Sequence, residues 1–461
     1  MRLWAMVVAL LIWALAWKGD PIVEAAPAQP GSGSVSQLQA RVDAAPDGAT
    51  VTVGPGTYPG GLIIQRRLRL VGRGRPLLLG SESGSVIQVR APGVVIKGFD
   101  IDGLGQGDLG QDDSGIHVAA SDATVHDCRI SNTVFGVYLR QADRARVQSC
   151  VIRGIPGKEP GEKGSGIHVW NTQNFVLLDN EIVEVRDGFY IQSSSHGRIA
   201  GNRVRDIRYG LHYMYSDDNV FDDNRFENGA AGAALMYSKR IAFRHNRFLH
   251  NRGFASVGLL LKTCDDVLAE ENLIADNARG IFVEGSYHNR FRRNVIASAD
   301  TAIVLYDSCG DNQFEGNSFV ANLSPLLLVG RRTDTRFDGN YWSDNQEPDL
   351  DGDGRSDRPY RLSSVFDHFR GNLTAADLFS QGFAAAALGA AERTFPVLEP
   401  VAALDRAPLV RPPELPIGLQ RISDRGPVHA GGLLGSAASL LLGGAGLGYG
   451  LRTGRQLRRI P

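Results

Sequence analysis

The chain contains few sulfur-bearing side chains and carries almost no net charge. The near-zero net charge excludes one class of binding partner. It contains only four methionines and four cysteines in 461 residues, and Met1 and Met6 lie in an apolar N-terminal segment. The 49 Lys and Arg residues nearly balance the 50 Asp and Glu residues, so the net charge is -1. This balance argues against a nucleic acid or another polyanion held by bulk charge. The 55 glycines, well above the usual share of about 7%, predict many turns.

The N-terminal segment is typical of an export signal. Arg2 precedes an apolar run, and Ala26-Pro27-Ala28 fits the small-residue pattern of a cleavage site. We therefore predict a signal peptide over residues 1–28, with the mature chain beginning near Gln29. The alternative is an uncleaved anchor, for which the apolar run is short against the roughly 20 residues that a spanning helix needs.

The C-terminal part predicts a linker, a membrane helix and a basic tail. Residues 362–429 contain a predicted helix, about 374–393, followed by a proline-rich strap. Residues 430–451 carry no charge and are long enough to cross a bilayer. Four arginines in the tail, residues 452–461, predict that this end is cytoplasmic. The alternative for 430–451 is a flexible Gly/Ala tail.

An internal repeat is the strongest signal in the chain. Asparagine followed by any residue and an apolar side chain recurs at intervals of 22 to 26 residues, at Asn180, Asn202, Asn224, Asn246, Asn272, Asn294, Asn317 and Asn340. Cys128 and Cys150 hold the same phase upstream. A second series of strands beginning with glycine runs beside the first, from "GIHV" at Gly115 to "GIFV" at Gly280.

This repeat predicts an all-β chain with the architecture of a parallel β-helix. Short alternating strands separated by Asn, Asp and Gly turns, with a period near 22 residues, fit one coil each. We predict ten or more coils between about residues 37 and 361. A leucine-rich repeat has a similar period, but its leucine pattern is absent from the sequence.

Alternation along the glycine-started strands places a soft-metal candidate on the outer face. Successive side chains point to opposite sides of a strand, so His168, His212, Met214 and Met236 should all point outward. Two thioethers with one or two imidazoles on an exported surface suit Cu(I). The alternative is an apolar outer stripe in which the methionines only fill gaps in packing.

The aromatic residues of the same face suggest a second function, a platform for sugars. Tyr138, Trp170, Tyr190 and Phe282 are predicted to point outward, where they could stack on a glycan. Hydrolysis of a glycan requires paired carboxylates, and Glu284 is the only carboxylate that the pattern places among them. The sequence therefore does not support catalysis.

Two further groups of residues suggest bound calcium and paired thiols. Asp349, Asp351, Asp353 and Asp357 fall at positions 1, 3, 5 and 9 of a calcium-type loop, with Gly354 at position 6 but Tyr360 in place of the usual Glu at position 12. The alternative is a solvated acidic turn. Cys128 and Cys150, one coil apart, form either a disulfide or two buried thiols, whereas Cys264 and Cys309 are predicted to be packing residues.

Several segments resemble the NosD-type maturation proteins of nitrous oxide reductase. The segments are "GLHYMYSDDNVFDDNRF", "AALMYSKR", "GLLLKTCDD" and "GNYWSDNQEPDLDGDGRSDRPYR", in this order, and the resemblance covers about residues 37 to 413. The repeated Met-Tyr-Ser is the specific part, because Asn-x-apolar repeats are common to β-helices. A C-terminal membrane segment departs from the family pattern, in which we expect the transporter to hold the protein.

The resemblance implies a periplasmic, right-handed β-helix with a scaffold or metal-handling role rather than an enzyme. Its expected partners are an ABC transporter permease and ATPase, a copper-chaperone lipoprotein and nitrous oxide reductase. We therefore expect the face formed by His168, His212, Met214 and Met236 either to bind copper or to dock the copper-loaded chaperone. Tyr138, Trp170 and Tyr190 are expected to form the surrounding contact surface. The runner-up function is a periplasmic protein that binds or cleaves carbohydrate.

Overall fold

Stacked coils of short strands build the fold, as the repeat predicts. The computed structural model describes residues 22–23, 35–253, 255–330, 332–362, 382, 387 and 403–414. Within these residues the chain winds into a parallel β-helix of about 13 turns. The predicted fold class is confirmed. The predicted helix at about 374–393 lies almost wholly outside the described residues, and the membrane segment 430–451 lies entirely outside them.

Three sheets run along the β-helix, and nearly all neighbouring strands pair in parallel. The sheet of 16 strands contains Ile22–Val23, Thr50–Val53, Arg69–Gly72, Val95–Lys97, Thr124–His126, Arg146–Gln148, Val176–Leu178, Arg198–Ala200, Val220–Asp222, Ala242–Arg244, Leu268–Glu270, Arg290–Arg292, Gln313–Glu315, Arg336–Asp338, Leu404–Asp405 and Tyr360–Arg361. The sheet of 13 strands contains Thr57–Pro59, Leu77–Leu79, Asp100–Asp102, Arg129–Ser131, Val151–Arg153, Glu181–Val183, Arg203–Arg205, Arg225–Glu227, Arg247–Leu249, Leu273–Ala275, Val295–Ala297, Ser318–Val320 and Tyr341–Trp342. The sheet of 12 strands, called the site sheet below, contains Leu62–Ile64, Ile87–Val89, Ser114–Val118, Phe135–Arg140, Ser165–Trp170, Asp187–Gln192, Tyr209–Met214, Ala231–Lys239, Val257–Asp265, Arg279–Glu284, Thr301–Tyr306 and Ser324–Val329.

A helix covers the N-terminal end of the β-helix. It spans Val35–Ala44 and buries Leu38 and Val42 against the first coil. The Gln39 side chain bonds both the N–H and the C=O of Ile63, so it replaces the partner that a preceding strand would provide. Two short 3₁₀ helices, Leu109–Gln111 and Pro160–Glu162, lie between strands of later coils. No helix among the described residues is long and apolar enough to cross a membrane.

The predicted asparagine column is a buried hydrogen-bonded ladder. Asn224 is typical: its Oδ1 accepts the backbone N–H and the Nδ2–H of Asn202, at 3.1 and 2.9 Å. Its own Nδ2 donates to the carbonyl of Ile199 and to Oδ1 of Asn246. Each amide therefore satisfies backbone and side-chain groups that would otherwise be buried without partners. These hydrogen bonds explain why asparagine recurs in the interior of an apolar core.

The ladder ends on a carboxylate from a distant part of the chain. Asp405 is fully buried, and its Oδ2 accepts the N–H and Nδ2–H of Asn340, both at 2.9 Å, and the indole N–H of Trp342 at 3.1 Å. Residues 403–410 thus belong to the last coil, although more than 60 residues separate Asp405 from Asn340 in sequence.

The four cysteines are buried free thiols. Cys128 and Cys150 lie in register on neighbouring strands, because Arg129 pairs with Val151. They occupy the first two places of the ladder column, and Cys150 donates its N–H to Oδ1 of Asn180. The structure therefore has them as thiols rather than as a disulfide. Cys264 and Cys309 are core residues, in agreement with the prediction.

Candidate functional site

The outer face of the site sheet carries the predicted functional residues. The side chains predicted to point inward, such as Ile167, Phe189, Leu211 and Leu235, are fully buried. The predicted outward column runs in register through Tyr138, His168, Tyr190, His212, Ala234, Leu260 and Phe282. A second outward column, two residues further along each strand, runs through Trp170, Gln192, Met214, Met236 and Lys262. The predicted faces are correct.

His168 lies in a stack of aromatic rings. Its ring centroid is 4.4 Å from that of Tyr138, 4.5 Å from that of Tyr190 and 5.2 Å from that of Phe135. This burial lowers the pKa of His168 to about 3, and the nearby positive charge of Arg186 adds to the effect, so the ring is neutral at ordinary pH. No described residue hydrogen bonds its buried Nδ1. These contacts fit a packing role for His168 better than a place among metal ligands.

Met214 and Met236 meet side by side on the outer face. They are Cα partners on neighbouring strands, and both are half-buried. His212 precedes Met214 by two residues on the same strand, so its side chain shares the face with both thioethers. Three of the four predicted copper residues are therefore neighbours, and His168 lies two coils away from His212, with Tyr190 between them.

Each of the three residues in the repeated Met-Tyr-Ser motif has a distinct position in the local structure. Ser216 and Ser238 are buried, and each hydroxyl donates to the carbonyl of its own methionine at 2.8 Å. Tyr215 and Tyr237 adopt left-handed backbone conformations, with φ of 50° and 53°, which turn both side chains into solvent. Their rings stack at 5.1 Å. The serine thus fixes the turn, and the methionine and tyrosine are displayed on adjoining surfaces.

The structure adds a carboxylate that the sequence analysis missed. Asp187 is fully buried, and its Oδ2 lies 3.3 Å from Nδ1 of His212. Arg208 donates to both carboxylate oxygens, at 3.0 and 2.8 Å, and Arg186 donates to Oδ2 at 3.3 Å. Burial alone would raise the pKa of Asp187, but the hydrogen bonds from His212 and Arg208 outweigh it and hold the pKa below its usual value. Asp187 is therefore an anion in contact with three donors.

Two departures from the repeat leave a cleft beside these residues. The first departure is a pair of small residues, Ala231 and Ala234. The preceding coil has Tyr209 and His212 at these two positions, and the following coil has Val257 and Leu260. The next coil is longer, with 26 residues between successive ladder asparagines. Together they enclose a cleft of about 640 Å³ lined by Tyr209, Ala234, Met236 and Leu260 and by the extra residues of the long coil. The thioether of Met236 is thus part of a mainly apolar recess large enough for a side chain of a partner.

The predicted contact residues differ in how much surface they offer. Tyr138 is only 6% exposed, because the aromatic stack covers it, so it presents little area to a partner. Trp170 is half-buried under the guanidinium of Arg140, which lies 5.2 Å from the ring centroid. Tyr190 is also half-buried, and its hydroxyl bonds Oε1 of Gln192. Trp170 and Tyr190 therefore fit a contact surface better than Tyr138 does.

The predicted calcium loop brings three of its four carboxylates together. Ligand atoms of Asp349, Asp351 and Asp353 all lie within 4.8 Å of one another. Asp357 lies outside that group, and its carboxylate accepts the N–H of Leu350. The other carboxylates accept backbone N–H groups of the same turn, so the loop is ordered by its own hydrogen bonds. Calcium binding here stays a prediction.

The part of the chain that contains the site matches a known protein family. Residues 153–347, which contain the histidines, the methionine pair and Asp187, match the family described as "Periplasmic copper-binding protein (NosD)". This part of the chain is therefore similar to the NosD family. The predicted resemblance is confirmed, and the family is a periplasmic one by its description.

Two NosD proteins give the extent of the similarity. A "Probable ABC transporter binding protein NosD" of Stutzerimonas stutzeri is 29% identical over 378 residues, which cover 78% of this chain and 86% of that protein. A protein of the same description from Pseudomonas aeruginosa is 29% identical over 135 residues, which cover 29% of this chain and 31% of that protein. The chain thus spans about a third of the length of the Pseudomonas NosD protein.

Solved structures similar to this NosD-like chain support the fold alone. The A-module of the mannuronan C-5 epimerase AlgE6 from Azotobacter vinelandii superposes with a TM-score of 0.53 at 14% identity, covering 66% of this chain and 94% of that one. The alginate lyase AlyF-OU02 superposes with a TM-score of 0.54 at 14% identity, covering 67% of this chain and 82% of that one. At this level of identity the shared β-helix carries no information about substrate.

Proposed function

We propose that this chain is a periplasmic accessory protein for the maturation of the copper sites of nitrous oxide reductase, with copper as its cargo. In this role it works with an ABC transporter permease and ATPase and with a copper-chaperone lipoprotein. The observation that carries the proposal is the pairing of Met214 with Met236, next to His212, inside the region that matches the NosD family. Thioether and imidazole are ligands that Cu(I) accepts.

The surroundings of the pair suit transfer of copper rather than permanent storage. Both methionines are half-buried, so a bound ion would remain within reach of a partner. The cleft beside Met236 gives room for a side chain of the copper donor. Trp170 and Tyr190, on neighbouring rungs of the same face, provide half-buried aromatic area for contact with the donor. We therefore assign this face to reception of copper from a chaperone.

The carboxylates near the face support a binding role over an enzymatic one. Asp187 has its hydrogen-bonding capacity taken up by two arginines and His212. Glu284 forms an ion pair with Lys262 at 3.0 Å. Neither is placed as half of an acid/base pair such as glycoside cleavage needs. The alternative of a carbohydrate-active protein therefore rests on the outward aromatic residues, without the paired carboxylates that cleavage needs.

Titration of the purified full-length chain with Cu(I), against a competing chelator, tests the proposal. We expect the double variant Met214→Leu/Met236→Leu to lose about tenfold or more in affinity, because leucine preserves the packing volume but has no thioether. The matched control is Tyr215→Phe/Tyr237→Phe, which alters the same two motifs without touching a sulfur atom. Equal Cu(I) affinity of the wild type and the leucine variant would remove the methionines from the site.

A cellular measurement separates ligation from docking. If the methionines bind the ion, the leucine variant should lower the copper content of nitrous oxide reductase in cells that also express the transporter and the chaperone. If they only contact the chaperone, leucine should serve as well as methionine, and the copper content should remain at the wild-type level. Unchanged copper content would thus contradict the ligand assignment and leave the docking surface as the function of this face.

A further inference from the structure

The hydrogen bonds around Asp187 fix its chemical state. The carboxylate is buried in the outer face of the site sheet. Two arginines point N–H groups at it, and a ring nitrogen of His212 lies 3.3 Å from it. Arg186 and Arg208 cannot lose their protons under ordinary conditions, so they act only as donors. A carboxylate that receives both guanidinium groups remains ionised, and an ionised carboxylate can only accept hydrogen bonds.

This state of Asp187 determines the tautomer of His212. Because the carboxylate only accepts, the imidazole nitrogen at 3.3 Å from it must carry a proton. That nitrogen is Nδ1, so in the neutral ring the lone pair lies on Nε2. The rings of Tyr190 and Tyr209, with centroids at 4.7 and 5.3 Å, hold the plane of the imidazole.

The remaining side of His212 faces small residues. Its partner on the next strand is Ala234, which also lines the cleft that contains Met236. An alanine covers far less of an imidazole than the tyrosine on the opposite side does. The side chain of His212 is accordingly 15% exposed, whereas Asp187 is not exposed at all.

We propose that Asp187 is a positioning residue, which accepts the Nδ1 proton of His212 and thereby presents the Nε2 lone pair to Cu(I) beside the methionine pair. The inference rests on the proposed function for its metal, but the positioning itself is a property of the protein alone. Histidines that bind metals commonly donate their other N–H to a carboxylate, which fixes ring orientation and tautomer. Arg186 and Arg208 hold the carboxylate in turn.

Nitrogen NMR of the full-length chain, labelled with ¹⁵N in histidine, tests the positioning without any metal. The signals of His212 are assigned by their loss in a His212→Gln variant. At mildly alkaline pH we expect a protonated-type signal for Nδ1 and an unprotonated-type signal for Nε2. A His212 ring that carries its proton on Nε2 in the wild type would overturn the proposal.

Titration with Cu(I) then tests the consequence for binding. We expect Cu(I) to move the Nε2 signal of His212, and we expect Asp187→Asn to weaken Cu(I) binding by about 10- to 100-fold. Asp187→Asn should also shift the tautomer of His212 toward Nε2–H, which a purely structural role for Asp187 does not require. The matched control is Glu271→Gln, because Glu271 receives His245 and Arg293 in the same way on an exposed surface.

The outcomes separate this inference from the function on which it rests. Loss of Cu(I) affinity in Asp187→Asn but not in Glu271→Gln, with the expected tautomer, supports both. Wild-type affinity in a folded Asp187→Asn variant overturns the positioning role while copper binding stands. A wild-type chain that binds no Cu(I) removes the proposed function and its copper step, and the tautomer in the NMR spectrum still decides whether Asp187 positions His212.

Discussion

Two groups in this molecule combine the same three chemical types, a histidine, a carboxylate and an arginine, in very different surroundings. In one, Asp187 receives His212 and Arg208 and is completely buried. In the other, Glu271 receives His245 at 3.0 Å and Arg293 at 2.8 Å, and their side chains are 22%, 43% and 56% exposed. The exposed group can exchange its partners for water, whereas the buried group has only the partners that the fold supplies. Contact distances alone therefore do not reveal which group has a fixed geometry, because burial decides it.

The largest expected effect on stability comes from removing the carboxylate of the buried group. Asp187→Ala removes the acceptor of three donors, and we expect it to lower the free energy of unfolding by about 3 kcal/mol. The partial exposure of Arg208, at 37%, allows some rehydration and keeps the loss from being larger. Chemical denaturation of the variant and the wild type measures the difference. A loss below about 1 kcal/mol would mean that burial does not distinguish the two groups.

A second, smaller effect is a loss of stability at acidic pH that arises from His168. The pKa of His168 is lowered to about 3 by burial, from an ordinary value near 6.5. Between these values the unfolded chain binds a proton that the folded chain does not, so stability falls as pH drops below about 6.5. His168→Phe keeps the ring stack and removes the proton site, and we expect it to be more stable than the wild type by about 2 kcal/mol at pH 5.

Denaturation of both proteins across this pH range checks the prediction. Tyr138→Phe is the control, since it alters a neighbouring ring of the same stack and leaves His168 in place. The control should keep the wild-type slope of stability against pH. Equal slopes for His168→Phe and the wild type would show that the imidazole is not held neutral in the folded state.

The smallest effect is expected from the exposed group. Glu271→Ala removes the carboxylate that receives His245 and Arg293, but both partners face solvent. We expect a change of at most about 0.5 kcal/mol in the free energy of unfolding. The same denaturation measurement, made at high salt, should reduce even this difference, because salt screens exposed charges. A cost similar to that of Asp187→Ala would contradict the distinction between the two groups.

The structural features that repeat from coil to coil could be predicted from the sequence. The asparagine ladder and the outward column were predictable because each coil places equivalent residues one strand spacing apart, so a period in sequence becomes a column in space. The side-by-side position of Met214 and Met236 followed from the same period. Only three of the four predicted copper residues are neighbours, because the column interposes Tyr190 between His168 and His212.

Of the features that the sequence analysis missed, the cleft and the contact of Asp405 depart from the repeat, whereas the arginines beside Asp187 follow it. Asp187 follows Arg186, and Arg208 stands 22 residues after Arg186. The period of the repeat would therefore have placed Arg208 beside Arg186 and Asp187. The cleft had two visible signals, the alanines at 231 and 234 and the long step from Asn246 to Asn272. The contact of Asp405 with the ladder had none, because a segment that returns from a distance carries no period.

That returning segment has a consequence for how the chain matures. At the last rung of the ladder, Asp405 accepts the backbone N–H and one Nδ2–H of Asn340 and the indole N–H of Trp342. A polypeptide that emerges N-terminus first can wind every earlier coil from neighbouring residues, but it cannot finish the last one until residue 405 has arrived. Chains cut short before that point would expose an open edge of the β-helix, and such edges invite aggregation and proteolysis. Completion of the last coil thus depends on synthesis of the chain through residue 405.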